Sequence, residues 1–228
     1  MTGEAALEGL IKVLLVGVII TAAYIITTRN LGSLVTVYRI QSLILAGIAV
    51  LLFPIDGTVV LLTIAAITIA SKVIIIPYFI ARIQEKIQIR RDIEFHLLSP
   101  ASSLLISILF VLVTYFAFSH ILTGIAVPGS LFFLGAVIGV SLMLMGMLVT
   151  FSRKKAITKV LGYLSMENGV LLFGLFVTEL PFMIEFLIVI DLIILVLLTT
   201  IMTVGIDSTL EEYHQRFHRF YLWQEERP

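Results

Sequence analysis

GSLFFLGAVIGVSLMLMGMLVTFSRKKAITKVLGYLSMENGVLLFGLFVTE, residues 129–179, settles the fold class. Two continuous apolar runs, about 129–151 and about 157–179, flank the basic triplet Arg153-Lys154-Lys155. Each is long enough to cross ~30 Å of hydrocarbon, which takes about 20 helical residues. The runs are unbroken rather than alternating, so they read as helices and not as barrel strands. Five further runs lie outside this window, at about 7–27, 32–53, 58–81, 100–121 and 182–206. The 32–53 run closes on Phe53-Pro54, and Pro77 stands near the end of the 58–81 run. The expected fold is all-α, a polytopic membrane helical bundle of seven transmembrane helices.

Composition agrees. Of 228 residues, 60% are hydrophobic and 13% charged. An ordinary soluble domain carries about 25% charge, and there is too little polar surface here to cover a soluble fold. Fifteen Lys and Arg balance fifteen Asp and Glu, which argues against a basic nucleic-acid binder. With no cysteine, the chain offers no disulfide, thiolate zinc site or cysteine-held iron–sulfur cluster. The start, Met1-Thr2-Gly3-Glu4, lacks a basic n-region, so the first run reads as a retained span rather than a signal peptide.

Basic residues set the expected orientation. Connections 1–2, 3–4 and 5–6 and the tail carry Arg29; Arg82, Lys86, Arg90 and Arg91; Arg153, Lys154, Lys155 and Lys159; and Arg216, Arg219 and Arg227. Connections 2–3, 4–5 and 6–7 carry neither Lys nor Arg, though Asp56 and Glu179 lie there. This places the N-terminus outside and the C-terminus in the cytoplasm, in a plasma (inner) membrane. The stretch 82–99 mixes bases with Glu85, Asp92 and Glu94. It reads as a solvated loop, with an amphipathic extension of span 3 as the alternative. The tail from Asp207, with Tyr213, Phe217, Phe220, Tyr221 and Trp223, reads as an interfacial anchor.

A faint repeat divides the chain. Tyr38 follows Arg29 by nine residues, and Tyr163 follows Lys154 by nine. A polar cluster comes next in each case: Arg39, Gln41 and Ser42, then Glu167 and Asn168. The expected units are 1–83 (spans 1–3), 84–128 (a cytoplasmic connection and span 4), 129–206 (spans 5–7) and the tail 207–228. The two three-span units would share one orientation.

Ionisable groups within spans cost about 2.5–3.5 kcal/mol each at a span centre. Glu167 lies mid-span and must be protonated, paired or hydrated. Lys72 lies in the inner half of span 3, and its stem is too short to snorkel easily from that depth. Pro77 frees a carbonyl near Val73, supplying a polar contact or a bend beside Lys72. Asp191 lies well inside span 7; Glu185, six residues earlier, points to another face. Glu167, Lys72 and Asp191 are therefore the candidate proton relay, with Asn168, Arg39 and Glu185 as possible supporting residues. A static ion-pair network has the same composition. Arg39 and Lys12 are close enough to the surfaces to snorkel. His120, His96, His214 and His218 lie at span ends or outside spans, which argues against bundle haem and against a metal site. No catalytic residue and no cofactor is expected. Gly135, Gly139 and Gly146 read as close helix packing.

The segments LeuGlyTyrLeuSerMetGluAsnGly (161–169, after the basic hairpin), TyrArgIleGlnSerLeu (38–43) and SerLysValIleIleIlePro (71–77), with seven spans and this length, resemble the hydrogenase-4 component E family. The resemblance runs to about residue 206, and its last three spans are similar to NuoK-like and MrpC-like subunits. It implies a non-redox subunit of a proton- or sodium-translocating, complex I-related assembly such as a membrane-bound hydrogenase or formate hydrogenlyase. Glu167 would match the family's second-span glutamate, Asp191 its third-span acid and Lys72 its third-span lysine. The implied partners are antiporter-like (NuoL/M/N-like) membrane subunits, a NuoH-like membrane subunit, [NiFe]-hydrogenase and iron–sulfur subunits, and the lipid bilayer. The alternatives are a stand-alone secondary transporter or channel, and a purely structural membrane anchor.

Overall fold

The computed structural model describes residues 2–28, 30–87, 99–121, 129–153, 156–177 and 185–200. Helices account for nearly all of them, and no strand forms among the described residues. Helix α1 is Thr2–Thr27, α2 Leu31–Asp56 and α3 Val60–Thr68. A π-helical segment, Ile69–Ile75, joins α3 to α4, Ile76–Ile87. Helices α5 (Pro100–Ile121), α6 (Leu131–Ser152) and α7 (Ala156–Val177) follow, and residues 185–200 form α8. Six helical stretches, counting Val60–Gln84 as one, are long and apolar enough to cross a membrane. The chain is a multi-pass membrane protein, and α8 is the inner part of the seventh expected span.

Local chemistry sets the helix ends. The Asn30 side chain accepts the Gly32 N–H (3.0 Å), capping α2. Gly57 takes a left-handed conformation (φ 71°) and returns its N–H to Phe53 O (2.8 Å), so α2 runs past Pro54 to Asp56. Ser130 caps α6 by accepting the Phe133 N–H (3.3 Å). Helix α4 corrects the solvated-loop reading of 82–99 in its first part, since the helix continues to Ile87. Ile80 and Ile83 are buried there while Arg82 is exposed and lies over the Tyr78 ring (5.7 Å). The remaining bases of that connection, Arg29, Lys154, Lys155, Glu179, His96 and the whole tail lie outside the described residues.

The bundle centres on α6 and α7, whose backbones touch along a line of small residues. A Cβ on Gly139 would lie 2.7 Å from Phe173 N, one on Gly162 2.6 Å from Thr150 N, and one on Gly169 2.5 Å from Met143 N. Glycine is therefore required at each position, and the packing expected from Gly135, Gly139 and Gly146 has α7 as its partner. Helix α1 packs on α2 and α6, and α2 also packs on α3 and α7. Helix α5 lies at the edge against α6 and α1. It buries a narrow face of Ser103, Ser107 and Thr114 and exposes apolar side chains elsewhere, as suits a lipid-facing helix.

Arg153 lies in the α6–α7 connection, as expected, and is 1% exposed. Its Nη2 donates to Ile25 O (3.2 Å), Ile26 O (3.2 Å) and Thr28 O (2.7 Å). These carbonyls end α1 and have no helical N–H to receive. A cation at a helix C-terminus is also favoured by the helix dipole. Arg153 thus pins the α6–α7 connection to the α1–α2 connection, at one end of the bundle.

Candidate functional site

Pro77 shapes the first part of the site. It has no N–H to donate, and its ring crowds the carbonyl one turn earlier. The helix responds by widening: the Ile76 N–H reaches back five residues to Ser71 O. The bend expected near Lys72 is therefore a π turn that contains Lys72 itself. Ser71 Oγ donates to Ile67 O (2.9 Å) along the same stretch.

Lys72 is fully buried and points at α7. Its Nζ lies 2.9 Å from Glu167 Oε1 and donates to Asn168 Oδ1 at 3.2 Å. Both acceptors come from adjacent residues of one helix, so a single ammonium bridges them. Behind Asn168 a network of amides and hydroxyls continues. Asn168 Nδ2 donates to Gln41 Oε1 (3.2 Å) and Ser42 Oγ (3.1 Å) on α2. Ser165 Oγ also donates to Gln41 Oε1 (3.2 Å). Gln41 Nε2 donates to Thr21 Oγ1 on α1 (3.3 Å), and Thr21 Oγ1 donates to Val18 O (2.7 Å).

The route from Lys72 through Asn168 and Gln41 to Val18 has one polarity. Each donor along it points away from Lys72, and the route ends on a backbone carbonyl. Amide groups in this arrangement hold orientation; they do not pass protons at neutral pH. The network keeps Asn168 Oδ1 turned toward the ammonium and ties α1, α2, α7 and the π segment together.

On the other side of Glu167 the chemistry differs. Asp191 on α8 is 8% exposed, and its charge acts on Glu167. Among the described residues, no hydrogen-bond donor reaches either Asp191 oxygen. One cation thus faces two carboxyl groups in an apolar bundle. Two adjacent carboxylates with one counter-charge cannot both stay ionised there. The cluster is neutral when the pair holds a single proton.

Glu167, Lys72 and Asp191 thus come together from α7, the π segment and α8. Asn168 joins them. Arg39 and Glu185 do not: both are exposed, away from the cluster. Gln41, Ser42, Ser165 and Thr21 carry the network, although only the first two stood out in sequence, as part of a polar cluster with Arg39. The missed signal is spacing. Tyr38, Gln41, Ser42 and Leu45 fall at helical intervals on one face of α2, and all are buried. A cavity of about 330 Å³ opens elsewhere, lined by Leu52, Ile55, Asp56, Leu61, Leu131 and Leu175 among others. It is about 15 Å along the helices from the charged cluster, at 1.5 Å per residue.

No protein-family model, curated protein or solved structure matches this chain.

Proposed function

We propose that this chain carries protons inside the membrane as a non-redox subunit of a complex I-related, membrane-bound hydrogenase-type assembly. The observation that carries the reading is the Lys72–Glu167–Asp191 cluster: one buried ammonium and two buried carboxyl groups. A lone ion pair would not need the second acid. Burying Asp191 without a donor is costly unless it is used. The amide network supports this role by fixing Lys72 and Asn168 while the carboxyl pair stays adjustable.

In this reading the redox reaction occurs on partner subunits, and antiporter-like subunits exchange protons with the cluster. The segments 38–43, 71–77 and 161–169, which carry the family resemblance, contain Tyr38, Gln41, Ser42, Lys72, Ser165, Glu167 and Asn168. They therefore account for all of the site except Thr21 and Asp191. Glu167→Gln is the test. It keeps the size and the hydrogen-bonding capacity of the side chain and removes its ability to ionise. We expect the variant to assemble, with proton transport in membrane vesicles reduced at least tenfold. Normal transport by an assembled Glu167→Gln complex would rule the carrier role out. Co-purification on a tagged chain tests the assembly: antiporter-like and [NiFe]-type subunits should come with it, and a chain that purifies alone and transports in liposomes would instead be a secondary transporter.

A further inference from the structure

Thr21 stands on α1, two side chains away from Lys72 along the hydrogen bonds. It is 8% exposed. Its proton goes to Val18 O (2.7 Å), within its own helix. The oxygen is left as an acceptor, and Gln41 Nε2 donates to it (3.3 Å). That bond commits the Gln41 amide. With Nε2 turned to α1, Gln41 Oε1 faces α7 and accepts from Ser165 Oγ and Asn168 Nδ2 (3.2 Å each). Gln41 is fully buried, so solvent competes for neither end.

Asn168 follows this commitment. An amide side chain has a donor end and an acceptor end of nearly the same size. As it is turned, Asn168 Nδ2 meets two acceptors, Gln41 Oε1 and Ser42 Oγ (3.1 Å). Its Oδ1 meets the Lys72 ammonium (3.2 Å). Turned over, Oδ1 would face Gln41 Oε1 with no proton between them, and Nδ2 would face an ammonium that only donates. Ser42 does not enforce the choice, since a hydroxyl serves either end. Gln41 does, because Thr21 holds it. Removing the Thr21 hydroxyl strands Gln41 Nε2 in an apolar bundle, which is costly. Turning the Gln41 amide over gives Nε2 a new acceptor in Ser165 Oγ, whose own proton can return to its helix as those of Ser107 and Ser141 do. Nε2 then confronts Asn168 Nδ2, and Asn168 Oδ1 is no longer held toward Lys72.

We propose that Thr21 is a positioning residue for the Lys72 ammonium, acting through Gln41 and Asn168. From α1 it sets which end of Asn168 the ammonium meets. It thereby keeps the charge of the π segment on α7, where Nζ lies 2.9 Å from Glu167 Oε1. The inference deepens the proton-carrying reading and rests on the same ammonium.

Solid-state NMR of the full chain in lipid bilayers tests it. The sequence has six lysines and two asparagines, Asn30 and Asn168. With isotope labels at lysine Nζ and asparagine Cγ, magnetisation transfer between Lys72 and Asn168 gives one cross peak, identified by its absence in Lys72→Met. Wild type should show it. Thr21→Val keeps the shape of the side chain and removes the hydroxyl. It should weaken the peak by about threefold or more, the change expected from losing one net hydrogen bond. Thr21→Ser keeps the hydroxyl and removes a methyl group, and the peak should remain. A residue that only fills space would give the reverse order. A wild-type spectrum without the peak overturns the proposal. So does a Thr21→Val peak of wild-type strength, or a Thr21→Ser loss equal to that of Thr21→Val. The spectrum reads where the ammonium sits, whereas Glu167→Gln reads transport. A peak weakened by Thr21→Val, in a chain whose Glu167→Gln variant pumps normally, would leave the positioning role standing and remove the carrier role.

Discussion

Replacing Lys72 by methionine tests the charge balance of the site directly. Methionine keeps most of the stem volume and removes the ammonium. Among the described residues, Lys72 is the one cation acting on Glu167, so the variant leaves two carboxyl groups with no counter-charge. Glu167 must then take up a proton on folding. At pH 7 this costs about 3.7 kcal/mol, from a reference pKa of about 4.3 and 1.36 kcal/mol per unit. Asn168 Oδ1 also loses its donor, at a further cost of about 1 kcal/mol that does not depend on pH. The sum falls within the ~3–5 kcal/mol typical of breaking one half of a buried pair. Because the variant takes up a proton on folding, its penalty shrinks as pH falls, to about 2 kcal/mol at pH 5. Reversible unfolding in bicelles, wild type against Lys72→Met at both pH values, measures it. The double variant Lys72→Met/Glu167→Gln should lose the pH slope, since no proton is then taken up at position 167. A Lys72→Met penalty equal at pH 5 and pH 7 would refute the reasoning, because the ammonium would not then be the counter-charge of Glu167.

Three other outcomes follow from the geometry. Arg153→Gln should lower stability by about 2 kcal/mol by leaving the last carbonyls of α1 without their donor, with protease sensitivity appearing first near Thr28. Gly146→Val should separate α6 from α7 and cost about 3 kcal/mol or prevent folding, whereas Gly9→Ala, with nothing within 4 Å, should be neutral or stabilising by up to about 1 kcal/mol in a thermal shift assay. Single cysteines at Thr58 and Lys159 in this cysteine-free chain should react with an impermeant thiol reagent from outside and from the cytoplasm respectively; the reverse pattern would invert the orientation read from the basic residues.

The helices were legible because an unbroken apolar run has one economical solution in a bilayer, a helix that satisfies its own backbone. The three buried charges were legible for the same reason: an ionised group is conspicuous where each one is expensive. Gln41, Ser165 and Thr21 were not. A neutral polar side chain costs little in a span, since a hydroxyl can return its proton to its own helix, as Ser107 and Ser141 do. Which of these side chains instead cross to a neighbour depends on helix rotation, and composition is silent on that. The burial of Arg153 was not legible for a related reason: the positive-inside rule counts a charge by its place between spans and takes no account of whether α1 ends beside it. The π turn at Lys72 was half visible: Pro77 announced a disturbed ladder, but a missing N–H is compatible with a kink or a widened turn, and the sequence does not choose between them.

The placement of Glu167 has an electrical consequence. It stands near the middle of α7, which runs Ala156–Val177. In an energised membrane, a proton that reaches it from either face crosses about half of the voltage drop. Moving one charge across the whole drop is worth ~2.3 kcal/mol per 100 mV, so half is worth about 1.2 kcal/mol. That amounts to about a sevenfold change in occupancy for each 100 mV. On the proposed proton-carrying role, the carboxyl pair would be a voltmeter as well as a store: how full it is would depend on the membrane potential, with one polarity favouring loading from one face and the opposite polarity favouring loading from the other.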